Sequence, residues 1–77
     1  VISLITPRQA QQQIAAHLRN RRLSMGLTQE GLAERSGVSL PTLRKFEQKG
    51  VLSLESLRKL ALVLDCLDSL VKATEPR

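Results

Sequence analysis

Four residues between positions 26 and 39 constrain this chain more tightly than any others: Gly26 stops one helix, Thr28 caps the next, Gly37 ends it, and Ser39 opens a third. Glycine enters the left-handed conformation that ends a helix without the steric cost met by other residues. Threonine and serine hydroxyls accept from the orphan N–H groups of a first helical turn. The spacing therefore predicts a short helix, TQEGLAERS, held between two sharp turns, with Leu32 and Ala33 facing inward.

Helical signals continue on both sides. Thr6-Pro7 is a cap followed by a proline at the first helical position, where a missing N–H costs nothing. A helix from about Pro7 to Met25 follows, with Ile14, Leu18 and Met25 at core spacing and arginines in its last two turns, where they suit the helix dipole. The third helix runs to about Gln48 with Leu43 and Phe46 on its buried side. Pro41 disfavours a helical Leu40, so its cap is either Ser39 or Leu40. After the connector KGVLS, Ser53 with Glu55 and Ser56 begins a fourth helix through about Leu64 or Asp65, and a fifth spans about Leu67 to Ala73. Phe46 is the one aromatic residue and leucine is abundant, which favours helices over sheet. The expectation is an all-α, compact five-helix bundle over residues 7–73, preceded by an apolar arm, residues 1–6, and followed by a tail, 74–77. At 77 residues the core is thin, so oligomerisation is a reasonable expectation.

Charge is unevenly spread. Arg8, Arg19, Arg21 and Arg22 give residues 1–26 a charge of +4 with no acid, residues 27–50 carry +1, and residues 51–77 carry zero. A basic end suits a polyanion such as nucleic acid or an anionic membrane, although solubility alone would also explain it. The single cysteine, Cys66, forms no internal disulfide, and the cytoplasm is the default compartment. The opening VISLI is too short for a membrane span and has no basic flank of the kind a signal peptide carries.

Within residues 29–47, the order Leu32-Ala33, Gly37-Val38, Leu43 and Phe46 is a helix-turn-helix arrangement. Ala33 is small enough for two helices to cross closely, Gly37 turns the chain, and Val38, Leu43 and Phe46 lock the helices together. The outer face of the later helix is left to Leu40, Pro41, Arg44, Lys45 and Lys49.

The segment LTQEGLAERSGVSLPTLRKFEQKG resembles the helix-turn-helix of the phage repressor and Cro family, often called Xre-like, with a lambda-repressor-like fold. The resemblance extends over roughly residues 14–71. Within that family, FEQKGVLSLESLRKLALVL is similar to a HipB-like branch that includes antitoxins paired with HipA-type kinase toxins. The resemblance implies a DNA-binding transcriptional regulator, a repressor, that occupies double-stranded operator DNA; a homodimer reading a palindromic operator is the expectation only if the second apolar stripe of the C-terminal third makes a two-fold contact. The narrower branch adds a HipA-like kinase toxin as a partner.

By the same resemblance Thr28 and Gln29 open the helix that fastens to a DNA phosphate, by side chain and backbone N–H. Ser39, Leu40, Pro41, Arg44 and Lys45 take recognition-helix positions facing the major groove or its flanking phosphates, with Thr42 and Lys49 as further phosphate contacts. Arg44 or Lys45 suits guanine O6 and N7, and Leu40 or Pro41 suits a thymine methyl. The chain departs from familiar members at Leu40-Pro41, where a polar amide often stands. Base reading then depends on the basic pair, on methyl contacts or on DNA shape. Arg22 and Glu47 match a family ion pair that orients the recognition helix, which would make Arg22 structural.

Other candidate chemistry is weak. Glu30/Glu34 and Asp65/Asp68 each place carboxylates one turn apart, but neither pair has a His or Cys ligand at useful spacing, so no metal site is expected. His17 reads as a surface residue and Cys66 as a buried thiol. With no phosphate-cradling glycine loop and no nucleophile-base set, neither an enzyme nor a cofactor is expected. Gly31, inside a short helix, costs about 1 kcal/mol against alanine, and nothing in the sequence accounts for it.

The C-terminal third carries two apolar stripes. Leu54, Leu57, Leu60, Ala61 and Leu64 point to the core, whereas Leu62, Val63, Cys66 and Leu70 lie on another side. Either the second stripe makes a two-fold dimer, or a bend between the last two helices folds both stripes into one core. A rival functional reading is a protein-interaction module that keeps the fold and has lost specific DNA binding. A membrane-surface role is disfavoured because the basic residues do not sit opposite a single exposed apolar face.

Overall fold

Hydroxyl side chains set four of the five helix starts in the computed structural model, which describes residues 4–76. Thr6 opens α1 (Pro7–Ser24), Thr28 opens α2 (Gln29–Ser36), Ser39 opens α3 (Leu40–Lys49) and Ser53 opens α4 (Leu54–Val63). Each hydroxyl accepts from a backbone N–H three residues on, at 3.1 Å from Gln9, 2.9 Å from Gly31, 3.4 Å from Thr42 and 3.1 Å from Ser56. Such a cap contributes about 1 kcal/mol. Thr6 adds a reciprocal bond, its own N–H donating to Gln9 Oε1 at 2.9 Å. The last helix, α5 (Leu67–Ala73), has no side-chain cap. Of the two candidate caps for α3 it is Ser39 that holds extended dihedrals, with Pro41 in the first turn.

The exits are equally local. Gly26 at φ 71° ends α1, with Leu27 N–H donating back to Arg22 O at 3.1 Å and Gly26 N–H to Leu23 O at 3.0 Å. The end of α4 repeats this double bond, Cys66 to Ala61 and Asp65 to Leu62, but with Asp65 in the left-handed position at φ 59°. A non-glycine residue there carries backbone strain that aspartate tolerates better than most.

Packing joins α1 to α3, α2 to α3 and α4, and α4 to α5. The core consists of Ala15 and Leu18 from α1, Leu32 from α2, Val38 in the turn, Leu43 and Phe46 from α3, and Leu60 and Leu64 at the end of α4. The sequence expectation for α1 needs correction: Ile14 and Met25 are both exposed, and the inward line is Ala15, Leu18 and Arg22. The buried face is thus rotated from the expected one, and a cation completes it.

The C-terminal stripes are also redrawn. Leu57, Leu60, Ala61 and Leu64 face inward, but Leu54, at the first position of α4, is 76% exposed. It stands at the edge of the inward arc and at a helix end, where it escapes burial. The second stripe divides: Val63 and Cys66 pack on the core and Leu70 is half-buried, whereas Leu62 is 65% exposed. The bend at Asp65 folds part of that stripe inward. It also separates Asp65, between helices, from Asp68 on α5, so the two do not stand one turn apart on a helix.

Of the apolar arm, residues 1–3 lie outside the described residues; Leu4 is 94% exposed. Arg77 of the tail also lies outside them.

Candidate nucleic-acid interface

The outward face of α3 follows from what its inward face spends. Leu43 and Phe46 are buried, which turns Pro41, Thr42, Arg44, Lys45, Gln48 and Lys49 to solvent and leaves Leu40 half-buried. Ser39 is exposed as well, and its hydroxyl donates to Thr42 Oγ1 at 2.7 Å. Four cations and amides thus share one exposed side of a ten-residue helix, and no acid stands in its first turn.

A polar network sets the angle of that helix. Arg22 donates from Nε to Glu47 Oε2 at 2.8 Å and from NH2 to Oε1 at 3.1 Å, a two-point grip on one carboxylate. Its remaining NH1 donates to Leu27 O at 2.9 Å, in the turn before α2. Both side chains are nearly withdrawn from water, 8% exposed for Arg22 and 4% for Glu47. Burial of such a pair is tolerated only when the polar atoms of both are satisfied. Here they are: no buried side-chain N or O among the described residues lacks a partner.

Gln29 extends the network outward. Its Nε2 donates to Glu47 Oε1 at 3.0 Å, and its Oε1 accepts from Arg44 Nε at 3.4 Å. A chain of hydrogen bonds therefore runs from α1 through the end of α3 and the start of α2 to the exposed face of α3. The amide of Gln29 is engaged within the protein. What α2 leaves open at this point are the backbone N–H groups of Gln29 and Glu30, since Thr28 takes those of Gly31 and Leu32.

Of the other arginines in the second half of α1, one turns to a different partner. Arg21 donates to Leu64 O at 3.1 Å, bracing the end of α4. Arg19 lies 3.9 Å from Glu47 with its side chain largely in water, so that contact contributes little. Gly31 acquires a physical account: a Cβ there would stand 3.2 Å from the Thr28 capping hydroxyl, tighter than ordinary contact.

Sequence reasoning missed Gly50. At φ 73° it ends α3, and an added Cβ would meet Gln11 O of α1 at 2.9 Å. Gln11 Nε2 also donates to Gly50 O at 3.1 Å. The glycine after Lys49 was the available signal for the helix end, but nothing local pointed to α1.

Glu30 and Glu34 are exposed, and no group of three or more His, Cys, Asp or Glu among the described residues could hold a metal ion. No helix among them is long and apolar enough to cross a membrane.

The helix-turn-helix family HTH_3 matches residues 18–68, from the second half of α1 into α5. The chain belongs to this Xre-like, lambda-repressor-like helix-turn-helix family. It is a DNA-binding transcription regulator in kind. No curated protein matches the chain.

Proposed function

We propose that the protein is a cytoplasmic repressor that occupies palindromic operator DNA as a homodimer, with α3 in the major groove. The observation that carries this reading is the exposed Arg44-Lys45 pair on a helix whose orientation is fixed by the Arg22–Glu47–Gln29 network. Arg44 offers its terminal guanidinium nitrogens to guanine O6 and N7, and Lys45 to a base edge or phosphate. Pro41 and Leu40 supply apolar contact to a thymine methyl. The hydroxyl of Thr42, whose oxygen accepts from Ser39, the ammonium of Lys49 and the backbone N–H groups at the start of α2, after Thr28 and at Gln29, take phosphates. Leu62 and Leu70, with Val63 and Cys66 behind them, form the two-fold contact, which sets two copies of α3 about 34 Å apart along the duplex.

Selection of bound duplexes from random-sequence DNA tests this. Enriched sequences with two inverted half-sites one helical turn apart support it; no enrichment sinks the operator reading.

A second reading makes the repressor an antitoxin that also binds a HipA-like kinase toxin. It is favoured by the similarity of residues 46–64 to that branch and by the exposure of Leu4 in the apolar arm. Co-expression with a kinase encoded beside it, followed by co-purification, separates this reading from a stand-alone repressor. The rival interaction module rests on Leu40-Pro41. Neutralising Arg44 and Lys45 would leave such a module's complexes intact.

A further inference from the structure

The close approach of α1 and α3 at Gly50 has a second result. It brings the first turns of α1 beside the last turn of α3, and between them lies a groove lined by Arg8, Gln11, Gln12, Gln48, Lys49 and Val51. The lining contains two cations, three amides and no acid. Neither Arg8 nor Lys49 pairs with a carboxylate among the described residues, and the first turn of α1 holds no acid. Gln11 is fixed by its bond to Gly50 O. Arg8, Gln12, Gln48 and Lys49 are exposed. Gln48 lies one helical turn beyond Arg44, on the same side of α3, so the groove continues the exposed basic face without a break.

We propose that this groove is a phosphodiester-binding subsite, with Arg8 as its principal contact and Lys49, Gln12 and Gln48 beside it. The proposal rests on the DNA-binding reading above and extends it to α1, outside the helix-turn-helix itself. An arginine suits the site because its planar fork grips two phosphate oxygens at once, while glutamine amides add neutral donors. Such a contact carries no base information. It fixes the register of the protein on the duplex and adds equally to every sequence.

The test is Arg8→Gln, compared with the wild type and with Arg58→Gln, which removes the same charge from the exposed side of α4. Fluorescence anisotropy on the DNA upstream of its own gene and on a scrambled duplex, over a salt series, gives the slope of log affinity against log salt. The expected result for Arg8→Gln is a slope smaller in magnitude by about 0.9. It should lose affinity by the same factor on both duplexes, with circular dichroism unchanged. Arg58→Gln should leave the slope near wild type. Lys49→Gln should act in the direction of Arg8→Gln. A steep wild-type slope that Arg8→Gln leaves unaltered, or alters no more than Arg58→Gln does, overturns the subsite and spares the DNA reading. A wild type with no salt-dependent DNA binding overturns both.

Discussion

Arg22 and Glu47 lie 25 residues apart in sequence and meet in a two-point ion pair, Nε to Oε2 at 2.8 Å and NH2 to Oε1 at 3.1 Å, with both side chains almost out of water. The pair joins the last turns of α1 and α3. It fills the third inward position of α1, after Ala15 and Leu18, so the long helix contributes few apolar groups to the core. A cation stands where a small bundle would otherwise place a leucine.

Breaking that pair from one side should be costly. Glu47→Ala strands a buried guanidinium and also releases Gln29, and the expected loss is about 3 to 5 kcal/mol in urea unfolding. The double variant Arg22→Met/Glu47→Leu should be clearly more stable than Glu47→Ala, since it removes both charges and keeps the volume. A double variant as unstable as the single one would contradict this account of the network.

Glycines in the same backbone conformation should differ in their tolerance of a side chain. Gly37 at φ 79° has open space where a methyl would project, whereas Gly50 at φ 73° faces Gln11 O, which a methyl would meet at 2.9 Å. Gly37→Ala should therefore cost about 1 kcal/mol, the left-handed penalty alone. Gly50→Ala should cost clearly more and loosen α1 from α3. Equal losses in thermal unfolding would show that the helices separate there without resistance.

Asp65 offers the opposite experiment. It holds φ 59° with a glycine-like hydrogen-bond pattern around it, so Asp65→Gly should relieve strain and gain about 0.5 to 1 kcal/mol. In a domain of this size that raises the melting temperature by about 4 °C. A fall in melting temperature would mean that the aspartate side chain contributes more than its backbone costs.

The dimer reading makes its own demand on the apolar surface. Leu62 is the member of the proposed contact that stands furthest into water, 65% exposed. A Leu62→Glu variant should sediment as a monomer at micromolar concentration, where the wild type sediments as a dimer, and should bind palindromic DNA less tightly. A monomeric wild type, with and without DNA, removes the two-fold arrangement.

What was legible in the sequence was local. Thr6, Thr28, Ser39 and Ser53 act on N–H groups three residues away, and Gly26 and Gly37 act on their own dihedrals, so helix starts and stops could be read along the chain. The exposed and buried sides of α3 were legible for the same reason, since Leu43 and Phe46 lie one turn apart. The inward line of α1 was not, because Ile14, Leu18 and Met25 satisfy helical spacing as well as Ala15, Leu18 and Arg22 do; the packing of α3 decides between them. Leu54 was misplaced because periodicity does not show where a neighbouring helix ends. Gln29 carries no local sign that its amide lies between Glu47 and Arg44, and Gly50 shows its turn but not the α1 carbonyl beside it.

The most direct test of the central account is fluorescence anisotropy of the wild type and an Arg44→Gln/Lys45→Gln variant, on the DNA upstream of its own gene and on a scrambled duplex. The wild type should prefer the upstream DNA, its log affinity should fall steeply with log salt, and the variant should lose the preference while remaining folded. Equal and weak binding of the wild type to both duplexes would contradict it, and would point to a protein as the partner of this face.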